Sequence, residues 1–286
     1  MSRARVTRIR LSSVLIALGA LLGGAAVAGA VALYAGFYDI SATHQHLRPT
    51  YWLLEVGMRE SVQRRARDIE VPPLDDPRLA QRGLALYRAH CLQCHGAPGV
   101  APQPFALGLT PLPANLAHTA RERSPAELYW VVKNGIKMTG MPAWAFRLSE
   151  GDLWAVVAFM QQLPHLSPEK YAARARATAI LDAATATTVD SAPTADAVRG
   201  KMALRQYACT TCHRVPGVVG DHPPVGPPLD RIATRTFIGG VLPNTPENMV
   251  RWLRSPQTVD PRTAMPDLGV SERDAWDMAA YLYTLK

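Results

Sequence analysis

Cysteine is scarce in this sequence, with four in 286 residues, and all four lie in two short motifs, which leaves none for a disulfide framework elsewhere. Charge is scarce too, at 19% against 48% hydrophobic residues, and mean hydropathy is near zero. That balance excludes a largely disordered chain, and with a single long apolar run it also excludes a polytopic membrane protein. No strand periodicity of any length appears, so the elements expected are helices. A basic groove is also missing. The net charge of +8 divides into 9 basic and 5 acidic residues over 1–74, 8 and 6 over 75–164, 3 and 3 over 165–193, and 11 and 9 over 194–286. Half the excess sits in the first quarter and the rest is spread thinly, so nucleic acid is not an expected partner.

What is present begins with an anchor. Arg3, Arg5, Arg8 and Arg10 precede an uncharged stretch from Leu11 to Phe37 built of Leu, Ala, Val, Ile and Gly. Twenty-seven helical residues reach roughly 40 Å, more than the ~30 Å hydrocarbon layer needs. A cleaved signal peptide is the rival, with Ala26 to Ala30 as a cleavage site, but its apolar region runs only about 7–15 residues. The expectation is therefore a retained single-pass anchor over 1–38. Arginines before it and Tyr34, Phe37 and Tyr38 at its end place the N-terminus inside and the remaining chain on the periplasmic face of a bacterial inner membrane. Within 39–74, a helix from about Thr50 to Asp68 is predicted. It is apolar at one end and basic at the other, suited to headgroups, a partner subunit or a solvated connection. His44 and His46 beside it are not expected to bind a cofactor.

Two later segments, 75–164 and 194–286, repeat one order of signals. A helical pattern carrying Gly83 and Tyr87, or Gly200 and Leu204, ends at Cys-x-x-Cys-His. A Pro/Gly-rich loop follows, then a helix with a capping signal at Ser124-Pro125 with Glu127, or at Thr245-Pro246. A Met-Pro loop comes next, and a last helix capped by Ser149 or Ser271 closes the unit. Between the units, 165–193 reads as a tether, with a short helix from Pro168 to Leu181 and then a flexible Ala/Thr-rich stretch.

The motifs are Cys91-Leu92-Gln93-Cys94-His95 and Cys209-Thr210-Thr211-Cys212-His213. A redox dithiol would need a βαβ context, which is missing. A zinc site would need four ligands together, yet the pairs are 118 residues apart in separate units. Covalent attachment of haem c explains the histidine as well: the two thiols add across vinyl groups, and the next imidazole faces the iron. Two covalently bound haems c are expected, with His95 and His213 as proximal metal ligands.

The opposite ligand must come from the second half of each unit. Met141 and Met265 each precede a proline, which fixes the backbone beyond the sulfur. Met138 is the rival in the first unit, and His118 and His222 are the rival histidines; His90 is expected to pack beside its motif. A thioether opposite an imidazole fills the sixth site and favours electron transfer over substrate chemistry. Each imidazole needs its other nitrogen held. The Pro227 carbonyl suits the second unit, and Pro111 or Pro113 the first. Trp144, Arg147, Trp252 and Arg254 are candidates for haem propionates, with core packing or solvent exposure equally expected.

These residues resemble class I c-type cytochromes, which implies a small all-α fold around each haem; with the anchor read above, the expected chain is all-α, one N-terminal transmembrane helix followed by two tandem cytochrome c domains. Departures are a Gly-to-Cys interval one residue longer in the second unit and differing Met loops. The second unit, through GPPLDRIATRTFIGGVLPNTPENMVRWLRSPQTVDPRTAMPDLGVS, is similar to the cytochrome c domain fused to subunit II of some haem-copper oxidases, whose copper-binding part has no counterpart here. The first, with GIKMTGMPAW, is similar to membrane-bound cytochrome c subunits of bacterial respiratory chains. The resemblance implies a single-electron carrier without catalysis of its own. Its partners would be a terminal oxidase, a quinol-oxidising complex or a soluble cytochrome. Lys133 and Lys137, near the first Met loop, are candidates for docking a partner and equally for ordinary surface lysines. The cytochrome subunit of a membrane-bound dehydrogenase is the alternative. A dihaem peroxidase would need an open sixth site, and a haem-based sensor would need a signalling domain that is not visible.

Overall fold

A computed structural model describes residues 11–182, 194–220 and 225–286. The basic N-terminal arm, the Ala/Thr-rich part of the tether and His222 lie outside the described residues. The described residues are 58% helical with little strand. Its Cα packing divides it into two units, 1–144 with 150–178 and 145–149 with 179–286.

The first unit opens with α1 (Leu11–Tyr34), 24 residues without a charge and without one buried side chain, long and apolar enough to cross a membrane. Helix α2 (Arg48–Ala66) follows, and its C-terminal half packs on the unit. Asp76 caps α3 (Pro77–His90) by accepting the N–H of Arg78, with Pro77 at the first turn where its missing donor costs nothing. A single turn, α4 (Leu92–His95), then carries the first motif. Asn115 caps α5 (Leu116–Glu122), and Ser124 with Glu127 forms the expected capping box of α6 (Pro125–Asn134). Helix α7 (Glu150–Met160) is buried on nearly every face.

Helices α3 and α7 cross at Gly83, where a Cβ would stand 1.9 Å from the Ala155 carbonyl oxygen. Only glycine permits that approach. The contact buries Leu84, Leu153, Val156 and Phe159 around Tyr87, whose hydroxyl donates to the Gly96 carbonyl at 2.6 Å. Helix α8 (Pro168–Asp182) differs from the expected free tether. Tyr171 is buried, Arg88 donates to the Ala175 carbonyl at 2.9 Å and Arg174 to Gln162 at 2.6 Å, so the chain through Thr178 belongs to the first unit.

In the second unit Asp196 caps α9 (Ala197–Gln206), accepting from Val198 and Arg199. Thr245 caps α10 (Pro246–Arg254), α11 (Pro256–Val259) is one turn, and Ser271 caps α12 (Glu272–Leu282). Helices α9 and α12 cross at Gly200, where a Cβ would lie 1.8 Å from the Asp277 carbonyl oxygen. Leu204, Met249, Trp252, Met278 and Leu282 fill the core beside that crossing. Asp277, 2% exposed, accepts both Nε (2.8 Å) and Nη2 (2.9 Å) of Arg199 and the backbone N–H of Asp196. One feature departs from the strand-free expectation: β1 (Phe237–Ile238) pairs antiparallel with β2 (Leu242–Pro243), two residues each.

Candidate haem sites

Helix α3 ends on Cys91, whose N–H donates to the Tyr87 carbonyl at 2.8 Å. The chain then makes one more helical turn, in which the N–H groups of Cys94 (3.1 Å) and His95 (3.0 Å) both donate to the Cys91 carbonyl. Residues three and four apart share a helix face, so this turn sets both sulfurs and the imidazole on one side. In the second unit His213 N–H closes the same turn on the Cys209 carbonyl at 2.9 Å. The extra residue of that unit is absorbed just before the motif by Ala208, which adopts a left-handed conformation at φ 54°. All four thiols are half buried and unbonded to one another. Burial pushes the Cys91 thiol up to about 12, with the neighbouring Cys94 adding to it, and Cys209 up to about 11. Both thiols are therefore neutral in the folded chain.

The two imidazoles are held alike. His213 Nδ1 lies 2.7 Å from the Pro227 carbonyl, and His95 Nδ1 lies 2.8 Å from the Ala114 carbonyl. The first-unit acceptor is thus neither Pro111 nor Pro113 but the residue after them. Asn115 turns the chain into α5 at this point, which leaves the carbonyl just ahead of the cap outside the helix and open to a side-chain donor. Burial lowers the His95 pKa against the opposing pull of that carbonyl, which favours the neutral ring a metal requires. The second ring is also walled in. A Cβ at Gly226 would meet His213 Cε1 at 2.5 Å, so only glycine fits while Gly226 N–H donates to the Cys212 carbonyl at 2.8 Å.

The methionine loops share a device that the sequence reading missed. Thr139 Oγ1 accepts the N–H of Met141 at 3.1 Å, and Thr263 Oγ1 accepts that of Met265 at 3.2 Å. Both loops read Thr-x-Met-Pro, a signal visible in the sequence. The Met141 carbonyl in turn accepts the Ile136 N–H at 3.2 Å, beneath Gly135 at φ +66°. Met141 is half buried, whereas Met138 is 92% exposed at φ 60°. Met265 is half buried against the second core.

Other candidates fall elsewhere. His118 pairs with Glu122 on exposed α5 at 3.3 Å, and His90 packs against Trp144 with ring centroids 5.0 Å apart. Trp252 is buried beneath Gly239, and Arg254 pairs with Glu272 at 3.3 Å. Lys133 is occupied by the ring and hydroxyl of Tyr129, while Lys137 is exposed. His44 pairs with Asp39 and His46 with Tyr38, and among the described residues no group of three His, Cys, Asp or Glu could hold a metal ion.

Residues 78–160 match the family described as cytochrome c oxidase, cbb3-type, subunit III, and residues 197–286 match the family cytochrome c. Among curated proteins the chain is 33% identical over 89 residues to cytochrome c oxidase subunit 2 of Alkalihalophilus pseudofirmus, covering 31% of this chain and 25% of that protein. It is 34% identical over 98 residues to dihydro-heme d1 dehydrogenase of Pseudomonas aeruginosa, covering 34% of this chain and 18% of that one. The matches thus span a quarter or less of each relative's length. Domains of this kind imply covalently bound haem c. The donor set fits that group, with paired thiols on one turn, an imidazole oriented by a carbonyl, and a thioether on a pinned loop. Behind one N-terminal apolar helix, then, the chain carries two cytochrome c-type domains in tandem.

Proposed function

We propose that the chain is a membrane-anchored dihaem electron carrier of a bacterial respiratory chain, a subunit of or donor to a terminal haem-copper oxidase. The reading is carried by the matched pair of sites: in each unit a carbonyl fixes the imidazole, and a threonine two residues earlier fixes the methionine. Cys91, Cys94, Cys209 and Cys212 are the attachment points, His95 and His213 the proximal ligands, and Met141 and Met265 the distal ones. Haem c bound at these positions supplies a one-electron couple in each unit. The protein's part is to hold ligands and exclude water. Ala114 and Pro227 accept from Nδ1, which would leave Nε2 of each ring for the iron, and the buried faces of α3 and α7, or α9 and α12, back the motif with apolar side chains.

Thioethers from Met141 and Met265 would leave a substrate no position on either iron, and no catalysis by the chain itself is expected. Helix α1 supports single-pass anchoring, with both units on the periplasmic face. The test of this reading is the intact mass of the purified chain. It should exceed the polypeptide by two haems with residues 1–38 retained, and the protein should not turn over peroxide. A mass short by either haem, loss of the N-terminal helix, or unaided peroxide turnover overturns it.

A second reading keeps the haems and makes the chain the cytochrome subunit of a dehydrogenase. It is favoured by the similarity to a protein named dihydro-heme d1 dehydrogenase. Identifying the chains that copurify from native membranes separates the two: an oxidase core supports the first, a substrate-oxidising subunit the second.

A further inference from the structure

Helix α2 has two unlike halves. Its C-terminal half is ordinary amphipathic structure: Val62 and Ala66 are buried against the first unit, where α6 packs, and Arg65 lies over the Trp130 ring at 6.0 Å. Its N-terminal half touches little of the protein. Tyr51, Trp52, Leu53 and Leu54 are four consecutive large apolar residues, 49–64% exposed, preceded by Leu47 at 67%. At 3.6 residues per turn, positions 51–54 sweep roughly 300° of the helix circumference. No single flat protein face covers such a collar; apolar side chains on every side call for an enveloping apolar medium.

The position of the collar points to which medium. The connector from α1 to α2 is folded back on itself, with the Tyr38 hydroxyl hydrogen-bonded to His46 Nδ1 at 2.7 Å, the two rings stacked and Asp39 paired with His44. The end of the apolar helix α1 and the start of α2 are therefore held close together. The collar is rich in Tyr and Trp, the side chains favoured at the membrane–water interface, and Arg48, Arg59, Arg64 and Arg65 against Glu55 and Glu60 make the helix basic.

We infer that Leu47 and residues 48–54 of α2 are embedded in the interfacial layer of the lipid bilayer, while residues 58–66 dock on the first cytochrome c domain, so that α2 is a strut joining that domain to the membrane surface. The inference rests on the reading of α1 as a membrane anchor. It adds a second lipid contact, beyond the spanning helix, and a fixed standoff for the first domain in place of a loose leash.

The test uses the full chain with its haems attached, reconstituted in vesicles of phosphatidylcholine and phosphatidylglycerol without any other protein. Nitroxide labels are placed through Tyr51→Cys, Trp52→Cys, Leu53→Cys and Leu54→Cys. Leu18→Cys reports on α1 and Arg67→Cys on the docked end, and haem spectra confirm that each variant is folded. Collision with oxygen is compared with collision with a water-soluble nickel chelate. Oxygen-favoured collision severalfold above nickel at all four collar positions and at Leu18, with nickel favoured at Arg67, is the expected result. Nickel-favoured collision at any collar position while Leu18 stays oxygen-favoured overturns the strut and leaves the anchor standing. Spin–spin broadening at the collar would place a second copy of the chain there and overturns it as well. Nickel-favoured collision at Leu18 removes the anchor, and the strut with it.

Discussion

Thr139 accepts the backbone N–H of Met141 through its hydroxyl at 3.1 Å while donating the hydroxyl proton to the Ile136 carbonyl at 2.8 Å. One side chain thus ties the methionine to the turn before it, and Thr263 accepts the Met265 N–H at 3.2 Å in the second unit. The sulfur is carried by a loop whose path is set by hydrogen bonds, immediately ahead of a rigid proline peptide. Replacing Thr139 or Thr263 by Val keeps the shape and removes the bonds, at a cost of about 1 kcal/mol of local stability. The expected outcome is a weakened sulfur-to-iron band at the red end of the spectrum and a lowered potential for that haem alone, read by spectropotentiometry. An unchanged band removes the threonine from the ligand machinery.

Asp277→Asn tests the buried fork to Arg199. The carboxylate is nearly inaccessible and accepts three N–H groups, so the substitution leaves the guanidinium partly buried and unmatched. A loss of about 3 kcal/mol is expected for the second unit, measured by denaturant titration of the holoprotein followed at the second haem. A loss below about 0.5 kcal/mol would class the pair with exposed ones.

Gly83→Ala and Gly200→Ala place a methyl group inside contact distance of a carbonyl oxygen on the facing helix. The crossings must open, and each variant is expected to lose about 1–3 kcal/mol together with haem incorporation at the neighbouring motif. Intact mass and denaturation report the two effects separately. Full occupancy at native stability would mean the helices can slide apart without cost.

Alkaline pH provides a fourth test. Burial raises the Tyr87 phenol well above its usual value of 10.0, and its hydroxyl is committed to the Gly96 carbonyl. A group with a raised folded-state pKa contributes stability fully present below its unfolded value and lost as pH rises beyond it. The first unit is therefore expected to weaken above about pH 10, and Tyr87→Phe should flatten that dependence while lowering stability near neutrality. Equal slopes in the two proteins would show that other groups govern the alkaline limit.

The helix starts were legible because Ser124, Thr245 and Ser271 cap by local hydrogen bonds that depend on few neighbours. The two motifs were legible because their chemistry is written in five consecutive residues. Long-range relations were not. Ala114 as acceptor depends on how the chain enters α5, and the docking of α8 on Arg88 and Gln162 depends on surfaces distant in sequence. The pair Phe237–Ile238 with Leu242–Pro243 is too short for alternation to register. Ala208 in a left-handed turn carries no glycine or asparagine to announce it. The Thr-x-Met-Pro repeat was readable and unread, since threonine before methionine means nothing until the loop's hydrogen bonds are known.

Gly226 brings the backbone close to one side of the His213 ring, where a Cβ would stand 2.5 Å from Cε1, and the Pro227 oxygen lies 2.7 Å from its Nδ1. With haem c bound, a ring held on these two sides would have little room to shift when the charge beside it changed by one unit. The environment that suits one oxidation state must then serve the other with little motion, and little motion means a low reorganisation barrier in both directions. Any side chain at position 226 would have to push that ring aside.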